Sequence, residues 1–193
     1  MIQMYVVRAC STDFDEQGRI KGTLDIPLSE TGQGQVGRLV SDLHEQSLQV
    51  IYASPCRSAQ QTAAALASDH QLKVKTLDEL QNLDHGLWHG KLVDEVRVSQ
   101  PKVFRQLQDH PETVCPPQGE PVGDAVERVR SLVSRLIRKH KTGAIALVVP
   151  EPVASFVRAA LGRAELGDLW KAECECGGWQ AFDVKGEKVA LAG

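Results

Sequence analysis

The chain has 193 residues, of which 42% are hydrophobic, 24% charged and 5% aromatic, an ordinary composition for a globular protein. A domain of this length buries a substantial core, so disordered, collagen-like and tandem-repeat proteins are poor matches. Twenty-two Lys and Arg against 25 Asp and Glu give a net charge of −3, with both signs scattered along the chain. This balance argues against a nucleic-acid partner.

The amino-terminal apolar run carries no basic residues and breaks at Arg8, so it predicts a strand and not a signal peptide. No stretch approaches the roughly 20 apolar residues of a membrane span. Five cysteines, an odd number without an export signal, indicate reduced thiols. We therefore expect a cytoplasmic protein with no membrane partner.

Short apolar runs alternate with amphipathic segments, a pattern that predicts an α/β layered domain. The runs at 2–7, 50–53 and 144–149 predict central strands that are covered on both faces. Ser29 is the predicted cap of a helix with one buried stripe, and Pro55 precedes a second helix at 56–68. Further helices are predicted at 122–140 and 152–161.

Residues 71–121 are less regular, with Pro101, Pro111, Pro116 and Pro117 punctuating the segment and one short helix predicted near 103–108. We interpret them as an insertion over the end of the sheet where α/β domains place ligand loops. Two apolar stretches at 180–184 and 188–191, separated by a turn, predict an edge hairpin. Because no repeat or long linker is present, the whole chain of 1–193 is expected to be one domain.

Residues 7–32 resemble the opening of the histidine phosphatase superfamily, the phosphoglycerate-mutase-like phosphatases, most specifically from Gly18 to Gly32. Three further matches follow in the family's order. They are Ala53-Ser-Pro55 with Thr62-Ala63, then Gly86-Leu-Trp88-His89-Gly90, then Gly119-Glu120. The resemblance implies a three-layer α/β/α fold with a mostly parallel sheet and a pocket at the carboxyl ends of its strands.

The resemblance also implies two-step phosphoryl transfer through a phosphorylated histidine, which follows the first strand in an Arg-His-Gly triplet. Two arginines, an asparagine and a second histidine hold the phosphoryl oxygens, and a carboxylate protonates the leaving group. This inventory suits the chemistry, because cations and hydrogen-bond donors bind phosphate and the leaving oxygen needs an acid.

The pocket positions of this chain depart from that pattern. Arg8 keeps the first arginine, but Ala9 stands at the nucleophile position, and a methyl group cannot attack phosphorus. The asparagine position is Asp15, whose charge repels a phosphate group that carries about −1.5 to −2. The triplet is therefore Arg8-Ala9-Cys10, without a nucleophilic histidine.

The remaining positions are also changed. The second arginine is replaced by Ser58, with Arg57 one residue earlier and about 100° around a helix. Asn82 replaces the carboxylate, and Pro150 replaces the late histidine, followed by Glu151 where glycine is usual. By this alignment only Arg8 survives of six pocket positions, and no catalytic residue is expected.

Two interpretations of Arg8 stay open. It is either a surviving anion anchor or a structural arginine paired with Asp15 or Glu151, because a buried arginine needs a partner. His85 and His89 flank Trp88 near the expected pocket and are either ligand-binding or acid-base groups, or loop-packing residues.

The cysteines offer another set of alternatives. Cys10 and Cys56 fall where they can face the pocket, but neither is followed six residues later by the arginine that cysteine phosphatases need, so inert packing is favoured. Cys174 and Cys176 suggest zinc together with His85 and His89, yet a lone Cys-x-Cys lacks structural zinc spacing. We therefore expect no metal and no cofactor.

These observations lead to a main hypothesis and two alternatives. The main one is a catalytically inactive relative of the histidine phosphatases with a binding or regulatory role. Its partner is an unknown protein or small molecule, contacted through Arg8, Cys10, Arg57, His85, His89 or Glu151, and a homo-oligomer is one arrangement. The alternatives are a phosphomonoesterase or other hydrolase with a remodelled site, and a metal or thiol module.

Overall fold

A five-stranded sheet organises the computed structural model, which describes residues 1–162, 165–173 and 176–184. Its strands are β1 (Ile2–Arg8), β2 (Leu48–Ala53), β3 (Val74–Thr76), β4 (Gly143–Val149) and β5 (Trp179–Val184). They are ordered β3-β2-β4-β1-β5, with β5 antiparallel to β1 and the other pairs parallel. The three strands predicted from apolar runs are the three central ones, as expected.

Helices cover both faces of the sheet. They are α1 (Asp13–Glu16), α2 (Glu30–Leu43), α3 (Arg57–Asp69), α4 (Val93–Ser99), α5 (Pro101–Asp109), α6 (Val122–Lys139), α7 (Val153–Ala160) and α8 (Leu169–Glu173). Ser29 caps α2 as predicted, because its hydroxyl accepts a bond of 3.0 Å from the Gly32 amide. The fold is the expected three-layer α/β/α arrangement with a mostly parallel sheet.

The two faces of the sheet carry different side chains. The core on the α6 and α7 side contains large aromatics, including Trp88, Phe156 and Trp170. The ring of Phe104 stacks on that of Trp170 with a centroid distance of 4.9 Å. The core on the α2 and α3 side combines larger side chains such as Tyr5, Leu43 and Ile51 with seven alanines, Ala9, Ala53, Ala59, Ala63, Ala67, Ala144 and Ala146. We call these the aromatic face and the alanine face.

Residues 71–121 are more ordered than the sequence indicated. They contain strand β3 and helix α4, neither of which was predicted, besides α5 and three single turns of 3-10 helix at Asp78–Leu80, Gly86–Trp88 and Pro111–Thr113. Val96 of α4 and Leu107 of α5 are buried in the aromatic-face core. The short helix predicted near 103–108 corresponds to α5, whereas β3 and α4 depend on tertiary packing, which orders stretches with weak local signals.

Only the first strand of the predicted carboxyl-terminal hairpin lies within the described residues. Strand β5 pairs with the outer side of β1, with Trp179 opposite Val7. The second predicted strand, at 188–191, lies outside the described residues. No helix in the described ranges is long and apolar enough to cross a membrane.

Candidate functional site

The candidate site lies where β1, β2 and β4 end. Because these strands are parallel, Arg8, Ala53 and Val149 bring their following loops to one edge of the sheet, where α/β proteins bind ligands. The site residues predicted from the sequence are carried by these loops, by α3 and by the loop at 82–89.

Ala9 is built into the backbone of this edge. Its amide donates to the Val149 carbonyl at 2.8 Å, and its carbonyl accepts from the Gly177 amide at 3.0 Å. The side chain is 4% exposed and packs on the alanine face. The nucleophile position therefore offers a buried methyl group and a backbone already engaged in hydrogen bonds.

Arg8 points to the opposite face. Side chains alternate along a strand, so Arg8 shares its face with Val6, next to α7. Its Nε donates to the Gly177 carbonyl at 2.8 Å. The charge of Arg8 also lowers the pKa of Glu151, against the effect of burial. Part of the donor capacity of Arg8 is thus committed to the chain itself.

Asp15 is engaged by groups other than Arg8. Its Oδ1 binds the ammonium of Lys21, and its Oδ2 accepts from the amide and hydroxyl of Thr12, both at 2.7 Å. The side chains of Lys21 and Asp15 are only 7% and 4% exposed. A buried ion pair therefore stands where the family pattern has an amide. Sequence reasoning missed Lys21, although it is the first lysine in the chain and follows the new acid by six residues.

Glu151 is 2% exposed and is held by α7. Its Oε2 accepts from the Ser155 amide at 3.0 Å and the Ser155 hydroxyl at 2.8 Å, and its Oε1 accepts from Arg158 at 3.3 Å. Burial raises the pKa of Glu151, while Ser155, Arg158 and Arg8 act in the opposite direction. Arg158 and Ser155, which the sequence did not single out, are the partners in direct contact.

The second arginine position carries no cation. Ser58 is buried, and its hydroxyl lies 3.7 Å from the Sγ of Cys56. Arg57 is exposed, and its amide donates to a carboxylate oxygen of Asp25 at 2.7 Å. Arg57 and Ser58 are neighbours at the start of α3 and so lie about 100° apart around the helix axis.

Two cysteines, Cys10 and Cys176, lie at the site, and their surroundings favour the protonated thiol. Burial raises the pKa of Cys10, whose amide donates to the Thr62 hydroxyl at 3.1 Å. Burial also raises the pKa of Cys176 to about 12, although Lys21 and Ser11 act to lower it. Cys174, which the zinc alternative requires, lies outside the described residues. Within the described ranges, no three His, Cys, Asp or Glu side chains are placed to hold a metal.

Asn82, His85 and His89 connect two loops. The Asn82 amide donates to the Gly22 carbonyl at 3.0 Å, and His89 Nε2 accepts from the amides of Thr23 and His85, both at 3.2 Å. The Oδ1 atom of Asp84 lies 3.7 Å from the same nitrogen. His85 is buried, with its ring centroid 6.3 Å from that of Trp88. These contacts favour the loop-packing interpretation.

Pro150 is buried at the second histidine position and directs its carbonyl into α7, where it accepts from the Ala154 amide at 3.0 Å. It has no side-chain donor for an anion. The structure therefore gathers Ala9, Cys10 and Asp15 near Cys176, places Arg8 and Glu151 toward α7, and leaves Arg57 at the surface.

The stability of the protein is expected to respond to pH with opposite signs at two glutamates. Because the pKa of Glu151 is raised above 4.5, its contribution is complete below pH 4.5 and is lost as pH rises above that value. Glu151→Gln removes this loss, so the wild type should lose stability relative to the variant on going from pH 4.5 toward neutrality. Urea unfolding at a series of pH values measures the difference.

Glu79 provides the matched control. Its hydrogen bond with Arg135 lowers the pKa of Glu79 below 4.5, so its contribution is present above pH 4.5 and is lost as pH falls below it. Wild type should therefore lose stability relative to Glu79→Gln on acidification. Parallel pH curves for the two variants would contradict the assignment of Glu151 as a destabilised buried carboxylate.

Comparison with known proteins gives consistent matches over most of the chain. A family model described as histidine phosphatase superfamily (branch 1) matches residues 4–193. Phosphoserine phosphatase 1 of Hydrogenobacter thermophilus is 31% identical over 176 residues, covering 91% of this chain and 83% of the relative. An adenosylcobalamin/alpha-ribazole phosphatase of Escherichia coli is 24% identical over 190 residues, covering 98% and 94%.

Solved structures share the fold. YhfR of Bacillus stearothermophilus superposes with a TM-score of 0.83 at 26% identity, covering 100% of this chain and 96% of that one. A histidine-to-alanine mutant of phosphoserine phosphatase from Entamoeba histolytica, crystallised with phosphoserine, has a TM-score of 0.81 at 20% identity, covering 95% and 91%.

Proposed function

The chain belongs to the histidine phosphatase superfamily, branch 1, and on that premise we propose that it is a catalytically inactive member with a binding or regulatory role. The observation that carries the proposal is the buried methyl group of Ala9 at the nucleophile position, with both backbone polar groups engaged. Covalent phosphoryl transfer needs a nucleophile there, and alanine supplies none.

The neighbouring residues do not replace the lost groups. The raised pKa values of Cys10 and Cys176 keep their thiols protonated at neutral pH, and the thiol is a poor nucleophile compared with the thiolate. Glu151, the buried acid nearest the end of β4, is held by Ser155 and Arg158 on the far face of the sheet. A nucleophile and an acid within about 3 Å of one reacting atom are therefore not supplied by these groups.

Phosphate binding is also disfavoured by the residues present. Asp15 and Lys21 form an ion pair in which the carboxylate neutralises the ammonium. The pair therefore adds no net positive charge to the pocket. Ser58 cannot form the bidentate contact of an arginine. Arg8 is the one cation retained from the family pattern, and its Nε is already donating to Gly177.

A phosphomonoesterase with a remodelled site is the second candidate. It is favoured by the relatives themselves, because those with assigned names include phosphoserine phosphatase 1 and an alpha-ribazole phosphatase. Its nucleophile would have to come from Cys10 or another group at this edge, with Arg8 as the anion anchor. A metal or thiol module is a third candidate, distinguished by metal analysis of the purified protein.

Activity and binding measured together separate the first two candidates. We expect no turnover of p-nitrophenyl phosphate or phosphoserine above a buffer blank, and no acid-labile phosphoprotein after incubation with substrate. Phosphoserine phosphatase 1 of Hydrogenobacter thermophilus serves as the positive control. Calorimetric titration with inorganic phosphate and with phosphoserine should detect no binding at millimolar ligand.

Turnover by the wild-type protein that is lost in Arg8→Ala or Cys10→Ala, each shown to be folded by circular dichroism, would overturn the proposal in favour of the phosphomonoesterase. Turnover that survives both substitutions equally would point to a contaminating phosphatase, which rechromatography of the double variant identifies. If phosphoserine binds without turnover, the proposal of a catalytically inactive protein stands. The ligand of its binding role would then be a phosphate ester.

A further inference from the structure

Five exposed cations belong to two segments that both reach Tyr52 of β2, namely β3 with the residue before it and the carboxyl-terminal end of α6. We call them the β3 basic surface: Lys73, Lys75, Arg138, Lys139 and Lys141. Lys73 precedes β3 and Lys75 belongs to it. Arg138 and Lys139 lie in the last turn of α6, and Lys141 follows that helix. This concentration is unexpected in a chain whose net charge is −3.

Contacts around Tyr52 join the two halves of this surface. Lys75 is the register partner of Tyr52 between β3 and β2, so both side chains lie on the same face of the sheet. The Lys139 ammonium lies 5.9 Å from the centroid of the Tyr52 ring, and the Tyr52 hydroxyl lies 2.9 Å from Nε2 of His140. The cations of β3 and α6 therefore border one aromatic ring.

The positive charge of this surface is not compensated by neighbouring acids. Across the described ranges, none of the five side chains forms an ion pair, whereas the nearby Glu79 is occupied by Arg135. Burial and the charges of Lys139 and Lys75 lower the pKa of His140, and no carboxylate offsets them. Cations near the carboxyl terminus of a helix ordinarily stabilise it through the helix dipole, which accounts for those of α6. This effect does not account for Lys73, just before β3, or for Lys75 within it.

The backbone next to this surface also has free hydrogen-bonding capacity. Strand β3 is the edge of the described sheet, and the Leu77 amide donates inward to the Ala53 carbonyl at 3.0 Å. The backbone amide and carbonyl groups of successive residues point alternately to the two sides of a strand. Those of Lys75 therefore face β2, like the Leu77 amide, and those of Val74 and Thr76 face outward. An extended segment can pair with these outward groups, as in other complexes formed by strand addition.

From this arrangement we propose that the β3 basic surface binds an extended acidic segment of a partner protein, which pairs with β3 as an added strand. Carboxylates on alternate residues of such a segment would lie on the face that carries Lys73 and Lys75, within reach of Lys139. A second copy of this chain is a poor occupant, because antiparallel pairing of two β3 edges brings lysines of both copies together.

The test uses a fluorescein-labelled hexapeptide that alternates glutamate and valine, with fluorescence anisotropy as the readout. The wild-type protein should bind it, and Lys75→Glu/Lys139→Glu should weaken binding at least tenfold. Lys102→Glu on α5, which also reverses an exposed lysine without an ion pair in the described chain, should change affinity less than twofold. Turnover at the candidate site does not enter this measurement, so the two proposals fail independently.

Two further readouts separate strand addition from simple charge attraction. Bound peptide should slow hydrogen exchange at the amides of Val74 and Thr76 and raise the pKa of His140 in an NMR titration. A peptide of equal charge that is N-methylated at alternate residues should bind at least tenfold more weakly, because it lacks donors for pairing.

The proposal is overturned if the wild type does not bind the hexapeptide, if Lys102→Glu weakens binding as much as the double variant, or if the N-methylated peptide binds equally well. Tighter binding of single-stranded DNA of equal charge would also overturn it, since the surface would then recognise phosphate groups. Dimers that disappear in Lys75→Glu/Lys139→Glu would assign the edge to a second copy instead.

Discussion

Replacing Lys21 with methionine is expected to lower the free energy of unfolding by about 3–5 kcal/mol, because it leaves a buried carboxylate without its cation. Asp15 is 4% exposed at its side chain, so water does not replace the lost ammonium, and among the described residues the carboxylate keeps only neutral partners such as Thr12 and the Cys176 thiol. Urea unfolding followed by circular dichroism at pH 7 measures the loss.

A double-mutant cycle shows whether the loss comes from the pair. The cycle adds the single variant Asp15→Asn and the double variant Asp15→Asn/Lys21→Met, which removes both charges and should recover most of the stability because no buried charge is left. The exposed pair of Arg130 and Glu127, at 3.1 Å, is the control, and Arg130→Met should cost less than about 1 kcal/mol. If Lys21→Met is as mild as Arg130→Met, the Asp15–Lys21 pair is not a buried interaction in solution.

Gly86→Ala is expected to destabilise the protein by about 3 kcal/mol through two separate costs. The backbone of Gly86 has a φ of +51°, which costs an L-residue about 1–2 kcal/mol. An added Cβ would also lie 2.2 Å from the Pro117 carbonyl oxygen, a backbone atom, so the loop at 116–119 must move. Overpacking of this kind costs about 1–3 kcal/mol.

Gly90 separates the two costs within the same loop. Its φ is +77°, but nothing lies within 4 Å of an added Cβ, so Gly90→Ala should show the conformational cost alone, about 1–2 kcal/mol. Thermal and urea unfolding of both variants measure the difference. Equal losses for the two alanine variants would mean that the contact between Gly86 and Pro117 does not constrain the loop.

The central strands, which are buried on both faces, were predictable from the sequence, whereas the short edge strand β3 was not. The continuous apolar runs of β1 and β4 fix them as central strands from sequence alone. Strand β3 is three residues long and includes an exposed lysine, so it has no recognisable period. It is a strand because β2 offers it an edge, and this depends on tertiary structure.

The sequence identifies the residues of the candidate site but does not determine which side chains pair with them. Ala9 and Pro150 are read directly from the sequence once the family resemblance supplies the register. The pairing of Asp15 with Lys21, and of Glu151 with Arg158, depends on how a loop and a helix fold back on themselves. The sequence supplied the acids but offered several cations for each, so the choice between Arg8 and other partners required the structure.

The unequal faces of the sheet make its two sides sensitive to opposite substitutions. On the aromatic face, where Trp88 and Phe156 are fully buried, the harmful change is the removal of volume. On the alanine face, where Ala53 and Ala63 are fully buried, the harmful change is the addition of volume. Ala9 belongs to the alanine face. A larger side chain such as imidazole at position 9 would have to displace buried neighbours, so Ala9→His is expected to carry a packing cost whatever chemistry it brings.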